Sequence, residues 1–189
     1  DWGGIYIGHL GSGSIDHSLI TFGCGEVAVE SDFAAFNALE IHQSEVRVRN
    51  SVFEENANGR GGTLSTGGSA PENRFGLYLN QPGAIFVRAA QPVILDNEFR
   101  NNAGPAININ VNALTSELLT DPGRSTGVID RQAAYPDNQG PLVRDNRLGG
   151  NTQNGMLVRG ETLTTESVWD DTDITHVVEN LIYVPDLHT

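Results

Sequence analysis

Short apolar–polar alternations recur along the chain, and none extends to the length of a helical stripe. The runs "GIYIG" (Gly4 to Gly8), "ALEIHQS" (Ala38 to Ser44), "AIFVRAA" (Ala84 to Ala90), "AININV" (Ala106 to Val111) and "MLVRG" (Met156 to Gly160) alternate with a period of two. That period sends successive side chains to opposite faces of a β-strand. Downstream of these runs come segments that alternate and then close on a turn. They are "SIDHSLITFGCG" (Ser14 to Gly25), "VRNSVFEENANG" (Val48 to Gly59), "VILDNEFRNNAG" (Val93 to Gly104), "LVRDNRLGGNTQNG" (Leu142 to Gly155) and "HVVENLIYVP" (His176 to Pro185).

Aligned with one another, these segments carry a charged residue (Asp16, Arg49, Asp96, Asp145, Glu179) and then His17, Asn50, Asn97, Asn146 or Asn180. A second asparagine follows an apolar residue at Asn56, Asn102 and Asn151, and glycine closes the unit at Gly59, Gly104 and Gly155. The unit is therefore strand, tight bend, strand, asparagine turn, repeated about five times. Such a unit cannot bury its apolar face alone, whereas stacked copies bury a continuous core. The expected fold is all-β: a right-handed parallel β-helix of one domain over residues 1–189. Long insertions near 60–82 and 112–140 would leave the stack, the second with a short helix near "LTSELLT". Stacking predicts two internal ladders, Asn50–Asn97–Asn146 and Asn56–Asn102–Asn151, in which each amide bonds to the next. Phe53, Phe99 and Leu148 would stack beside them in the core.

The repeat V-x-V-x-N-S-x-F-x-x-N-x-x-G resembles the parallel β-helix repeats of the pectin-lyase-like superfamily, over nearly the whole chain. The segment from Asn154 to Thr189 also resembles parts of very large secreted bacterial surface proteins. The first resemblance implies a solenoid and brings polysaccharide lyases, esterases, hydrolases and epimerases into view. The second implies an extracellular or cell-surface structural module. A Gly-His-Gly motif and lysine, which some of those enzymes use, are both missing from the sequence.

Charge narrows the partners. Eleven basic residues, every one arginine, stand against 24 acidic ones, for a net charge of −13. Nucleic acid and anionic membranes both require a cationic footprint, so neither is an expected partner. No apolar run is long enough to cross a bilayer. The single cysteine, Cys24, excludes an internal disulfide and reads as a small buried apolar residue. Both ends of the chain, "DWGGIYIG" and "LIYVPDLHT", keep strand patterning. They are expected to be uncovered end rungs of a longer protein or of a self-associating subunit, because open strand edges invite pairing.

Three groups of residues are candidates for chemistry. Asp96, Asp145 and Glu179 fall in one predicted column. With strands about 4.8 Å apart, adjacent carboxylates would approach the roughly 5–5.5 Å separation of a retaining glycosidase pair. Tyr135, Asp130 and Arg131 on the second insertion would suit a saccharide, the ring as platform and the charges for hydroxyls. Asp170, Asp171 and Asp173 form the densest acidic cluster and offer oxygen ligands for Ca2+, without EF-hand spacing. Against each stands a plainer reading as solvated strand ends, a surface loop and an exposed turn. The favoured function is a non-catalytic structural or adhesion module without a required cofactor. The alternatives are a polysaccharide-active enzyme and a glycan-binding module.

Overall fold

The computed structural model describes residues 2–29, 32–58, 82–124, 131, 133–169 and 172–186. Among them there is no α-helix. The five upstream alternations become β1 (Ile5–Ile7), β6 (Leu39–His42), β9 (Ile85–Arg88), β12 (Pro105–Asn110) and β15 (Gln153–Arg159). With β16 (His176–Val178) they form one six-stranded sheet in the order β1-β6-β9-β12-β15-β16. A second sheet contains β2 (Ser12–Asp16), β7 (Glu45–Arg49), β10 (Val93–Leu95) and β13 (Leu142–Arg144). The third contains β3 (Leu19–Thr21), β8 (Val52–Glu54), β11 (Glu98–Arg100) and β14 (Arg147–Gly149). Every neighbouring pair in these three sheets is parallel. Among the strands of the described residues, β4 (Glu26–Val29) and β5 (Asp32–Ala35) alone pair antiparallel, as a separate hairpin. The chain is thus all-β, with parallel strands in three stacked sheets, an arrangement consistent with a β-helix.

Alternation explains the core. Ile7, Ile41, Val87, Ile109 and Val158 occupy one register line of the long sheet. Ile15, Val48, Ile94 and Val143 do the same in the second sheet. Ile20, Phe53, Phe99 and Leu148 do so in the third. Phe53 and Phe99 stack with ring centroids 5.0 Å apart. These three lines belong to a single apolar cluster, which also takes in buried Cys24.

The bends are built from left-handed residues that are mostly not glycine. Leu10, Gln43 and Ala89 follow strands of the long sheet; His17, Asn50, Asp96 and Asp145 follow strands of the second; Phe22, Glu55, Asn101 and Gly150 follow strands of the third. Their φ angles lie between 47° and 69°. A side chain there costs about 1–2 kcal/mol. Backbone bonds along the stack hold the conformation in place. The amides of Leu10 and Gln43 donate to the carbonyls of Gln43 and Arg88, at 3.1 and 2.9 Å, and the amide of Asn101 donates to that of Gly149 at 3.1 Å.

The first insertion falls almost wholly outside the described residues. The second opens with a 3-10 turn, Val111–Ala113, in place of the helix expected near "LTSELLT". Leu118 is exposed, whereas its neighbour Leu119 packs on Val93, Leu95 and Leu142 on the outer face of the second sheet. That alternation is strand-like and fits the isolated bridges Leu118–Gln139 and Thr115–Ser167. After β15 the chain returns across the end of the stack. Ile174 is buried there, and Leu163, Trp169 and Ile182 pack against the core. The expectation of an uncovered C-terminal rung is corrected to that extent, although Leu181, Tyr183 and Val184 remain exposed.

Candidate functional site

The asparagine-rich bends form two ladders, one of them shifted from the expected membership. In the first, the Asn102 side-chain oxygen accepts from the Asn56 amide nitrogen and its Nδ2 at 3.2 and 2.8 Å. Asn102 Nδ2 donates back to the Phe53 carbonyl at 2.9 Å and onward to Asn151 Oδ1 at 2.7 Å. Asn151 repeats the pattern with the Phe99 carbonyl and Asn154. Gly23 holds the equivalent place before Asn56, donating its amide to Asn56 Oδ1. Each amide side chain thereby ties a turn to a strand carbonyl of the coil before it and to the next asparagine along the stack.

The second ladder runs Ser51–Asn97–Asn146, and Asn50 is not in it. Ser51 N donates to Asn97 Oδ1 at 3.0 Å, and Asn97 Nδ2 to Asn146 Oδ1 at 3.1 Å. The cause is register: Arg49 pairs with Leu95, so Asn50 stands level with Asp96, not with Asn97. The half-exposed Asn50 side chain instead donates to Asp16 Oδ1 at 3.1 Å.

The same register fixes the carboxylate column. Leu95 pairs with Arg144, so Asp96 and Asp145 occupy equivalent left-handed positions on adjacent strands. Glu179 is corrected out of this column. It follows β16, which joins the long sheet beside β15, and it accepts from Gln153 Nε2 at 3.2 Å. Asp96 and Asp145 border a shallow cleft of about 410 Å³ with Asn50, Glu98 and Arg147. Each carboxylate is already engaged. Arg49 Nε donates to Asp96 at 2.9 Å. The Tyr135 hydroxyl donates to Asp145 at 2.9 Å. That bond, with some burial, raises the tyrosine pKa and keeps the phenol neutral.

Tyr135 is no open platform. The Arg144 guanidinium lies over its ring, 4.6 Å from the centroid, and the ring packs beside Val93, Leu95 and Leu142. Arg131 is exposed, and Asp130 lies outside the described residues. So do Asp170 and Asp171; Asp173 uses one oxygen to accept the Asp145 backbone amide at 2.8 Å. Among the described residues no group of three or more metal-ligating side chains comes together.

Two polar clusters went unforeseen. Arg47, at the centre of β7, is buried and donates to both Asp121 oxygens at 3.1 and 3.3 Å. Arg124 pairs with Asp16 at 2.6 Å, and Arg47 stands 3.7 Å from the same carboxylate. Burial pushes the Asp16 pKa up, but the Asn50 hydrogen bond and the charges of Arg124, His17 and Arg47 hold it below the usual value. These contacts pin the second insertion to the second sheet. An alternating "EVRVR" with arginine on the outer face was the available signal.

On the outer face of the long sheet, Glu40 accepts from the Asn37 amide and bonds His42 Nε2, each at 2.9 Å. The His42 ring stacks on Tyr6 and lies near Phe86. Arg159 sits over Phe86 and donates to Asn108 Oδ1 and the Val87 carbonyl, each at 2.6 Å. Burial lowers its pKa to about 9, which leaves the guanidinium charged at neutral pH.

Comparison of the chain with protein-family models, with curated proteins and with solved structures finds no match.

Proposed function

We propose that the chain is a right-handed parallel β-helix of the pectin-lyase-like kind, acting as a non-catalytic structural or adhesion module at a cell surface or outside the cell. One observation carries this reading: the stacked carboxylates are engaged in holding the structure together. Asp96 neutralises Arg49, while Asp145 anchors Tyr135 and, through its backbone amide, the Asp173 turn. Each carboxylate thus commits one oxygen, Oδ2, to a structural partner, a role that accounts for its place in the column without a substrate. Edge strands at the ends of the three sheets are the natural places for further coils or a second copy to add. The acidic, lysine-free surface supports a solvent-exposed life without nucleic acid or anionic membranes as partners.

A polysaccharide-active enzyme is the second reading, because Asp96 and Asp145 sit on neighbouring strands at the spacing of about 4.8 Å that stacked β-strands impose. The deciding experiment incubates the protein with acidic and neutral polysaccharides and measures unsaturated and reducing ends. No release above a buffer control is expected. Release that disappears in Asp145→Asn would replace the proposal with the enzyme reading.

A further inference from the structure

The last coil breaks the pattern of the core at one position. Along the inner face of the long sheet a register line runs Leu39, Ile85, Ile107, Met156, and His176 continues it. Four apolar residues are thus followed by a titratable ring. That ring is half-buried, with the Trp169 ring tilted against it at a centroid distance of 5.5 Å. Thr172 Oγ1 lies 3.1 Å from its Nε2. Both contacts come from a turn that crosses the end of the stack. One flank of the turn is pinned to the second insertion, where the Val168 amide donates to the Leu114 carbonyl and the Ser116 amide to the Glu166 carbonyl. The other flank is β16, paired with β15. Between the flanks Ile174 is buried and Trp169 packs on the core. Asp173 accepts the Asp145 amide on a side-chain oxygen and donates its own amide to the Val143 carbonyl of β13.

We propose that Trp169 and residues 172–175 form an acid-released cover over the last coil, and that a proton taken up by His176 releases it. Closed, the cover shields Met156 and the edge of β13; lifted, it bares both. No counter-charge meets the ring in the closed form. From β15 it faces Met156, and from the turn Trp169 and Thr172, none of them charged. The nearest described carboxylates along the chain, Asp173 and Glu179, are bonded to the Asp145 amide and to Gln153. A neutral imidazole sits against Met156 and Trp169 at little cost, whereas an imidazolium there would lose hydration with nothing to replace it. Burial accordingly lowers the His176 pKa. The closed form therefore binds the proton more weakly than the open one. Opening is favoured as pH falls below the ordinary value of 6.5, and the cover stays shut above it. The flanks are held by backbone bonds that do not titrate, so the release is local and the stack beneath keeps its fold.

The chain has two tryptophans, and Trp2 lies on the first coil, so Trp2→Phe leaves Trp169 as the one fluorescent reporter. The test follows its emission and its quenching by acrylamide in that protein between pH 7 and pH 5. Emission should move to the red and quenching should rise, reversibly, while far-UV circular dichroism stays unchanged. The opening equilibrium should grow by no more than about tenfold per pH unit, the limit for a single proton. Adding His176→Leu, which extends the apolar line, or His176→Gln should leave the spectrum at pH 7 as it was and hold it there at pH 5. Emission and quenching that do not change with pH in the Trp2→Phe protein would overturn the proposal. So would a red shift that survives in either folded His176 variant, or one that coincides with loss of the circular dichroism.

Discussion

Asn102 is the middle member of the first ladder and is 2% exposed, so replacing it with leucine tests what the amide does. Its side chain makes four hydrogen bonds: two accepted from Asn56, one donated to Phe53 and one to Asn151. The two partner side chains keep other bonds, Asn56 Nδ2 with the Ile20 carbonyl and Asn151 Oδ1 with the Asn102 backbone amide. The Asn56 backbone amide, which among the described residues donates only to Asn102, would be left buried at about 1–3 kcal/mol, and the bonds with the Asn56 side chain, the Phe53 carbonyl and Asn151 are lost at about 0.5–1.5 kcal/mol each. Leucine returns part of that by burying apolar surface, at most about 1.5–3 kcal/mol if it fits. A net destabilisation of about 1–4 kcal/mol follows. Urea unfolding monitored by circular dichroism reads it directly, as a lower midpoint at constant slope. A loss below about 0.5 kcal/mol at unchanged slope would refute the account, because the Asn56 backbone amide could then not depend on the Asn102 side chain.

Asn50→Gly should change stability by no more than about 1 kcal/mol, relief of the left-handed side chain offsetting the lost bond to Asp16; Asn97→Leu should destabilise like Asn102→Leu. Equal losses at both positions in chemical unfolding would argue against the register that separates them. Arg47→Met should cost about 3–5 kcal/mol by removing the guanidinium charge from beside buried Asp121, and adding Asp121→Leu should restore most of it; thermal melts of the single and double variants decide. Acid should act through two groups. Burial lowers the His176 pKa, so the unfolded chain takes the proton first, and stability falls as pH drops below the ordinary value of 6.5. His176→Gln should flatten the melting temperature between pH 7 and pH 5. Asp16 has a lowered pKa, so its contribution is whole above the ordinary 3.8 and is lost below it; Asp16→Asn should remove that acid limb.

The strands were legible because alternation is a local signal, and all five upstream runs entered one sheet in chain order. The ladder through Asn56, Asn102 and Asn151 was legible too, since its asparagines keep a constant offset from Phe53, Phe99 and Leu148. Asn50 misled because it is adjacent to Ser51, and either residue satisfies a pattern that tolerates one slip. Only the pairing of Arg49 with Leu95 separates them. Glu179 misled because "HVVEN" repeats the chemistry of the asparagine turns while pairing with β15. The clusters around Arg47 and Glu40 were out of reach for another reason. Arg47 meets Asp121 across 74 positions of chain, and no local pattern announces which segment will cover an outer face.

The asparagine ladder partners are 46 or 49 residues apart, and the left-handed bends that lie one above another are 33, 46 or 49 apart. No such contact can form until a loop of that length has closed. Closure of a loop n residues long scales as (3/2)RT ln n, so most of the entropy is lost at the first pairing of two coils. Every later coil adds to a template already in place. Folding of this chain should therefore be slow to start and quick to spread. It should nucleate between adjacent coils, where Phe53 meets Phe99 and Asn56 meets Asn102, and grow outward in both directions.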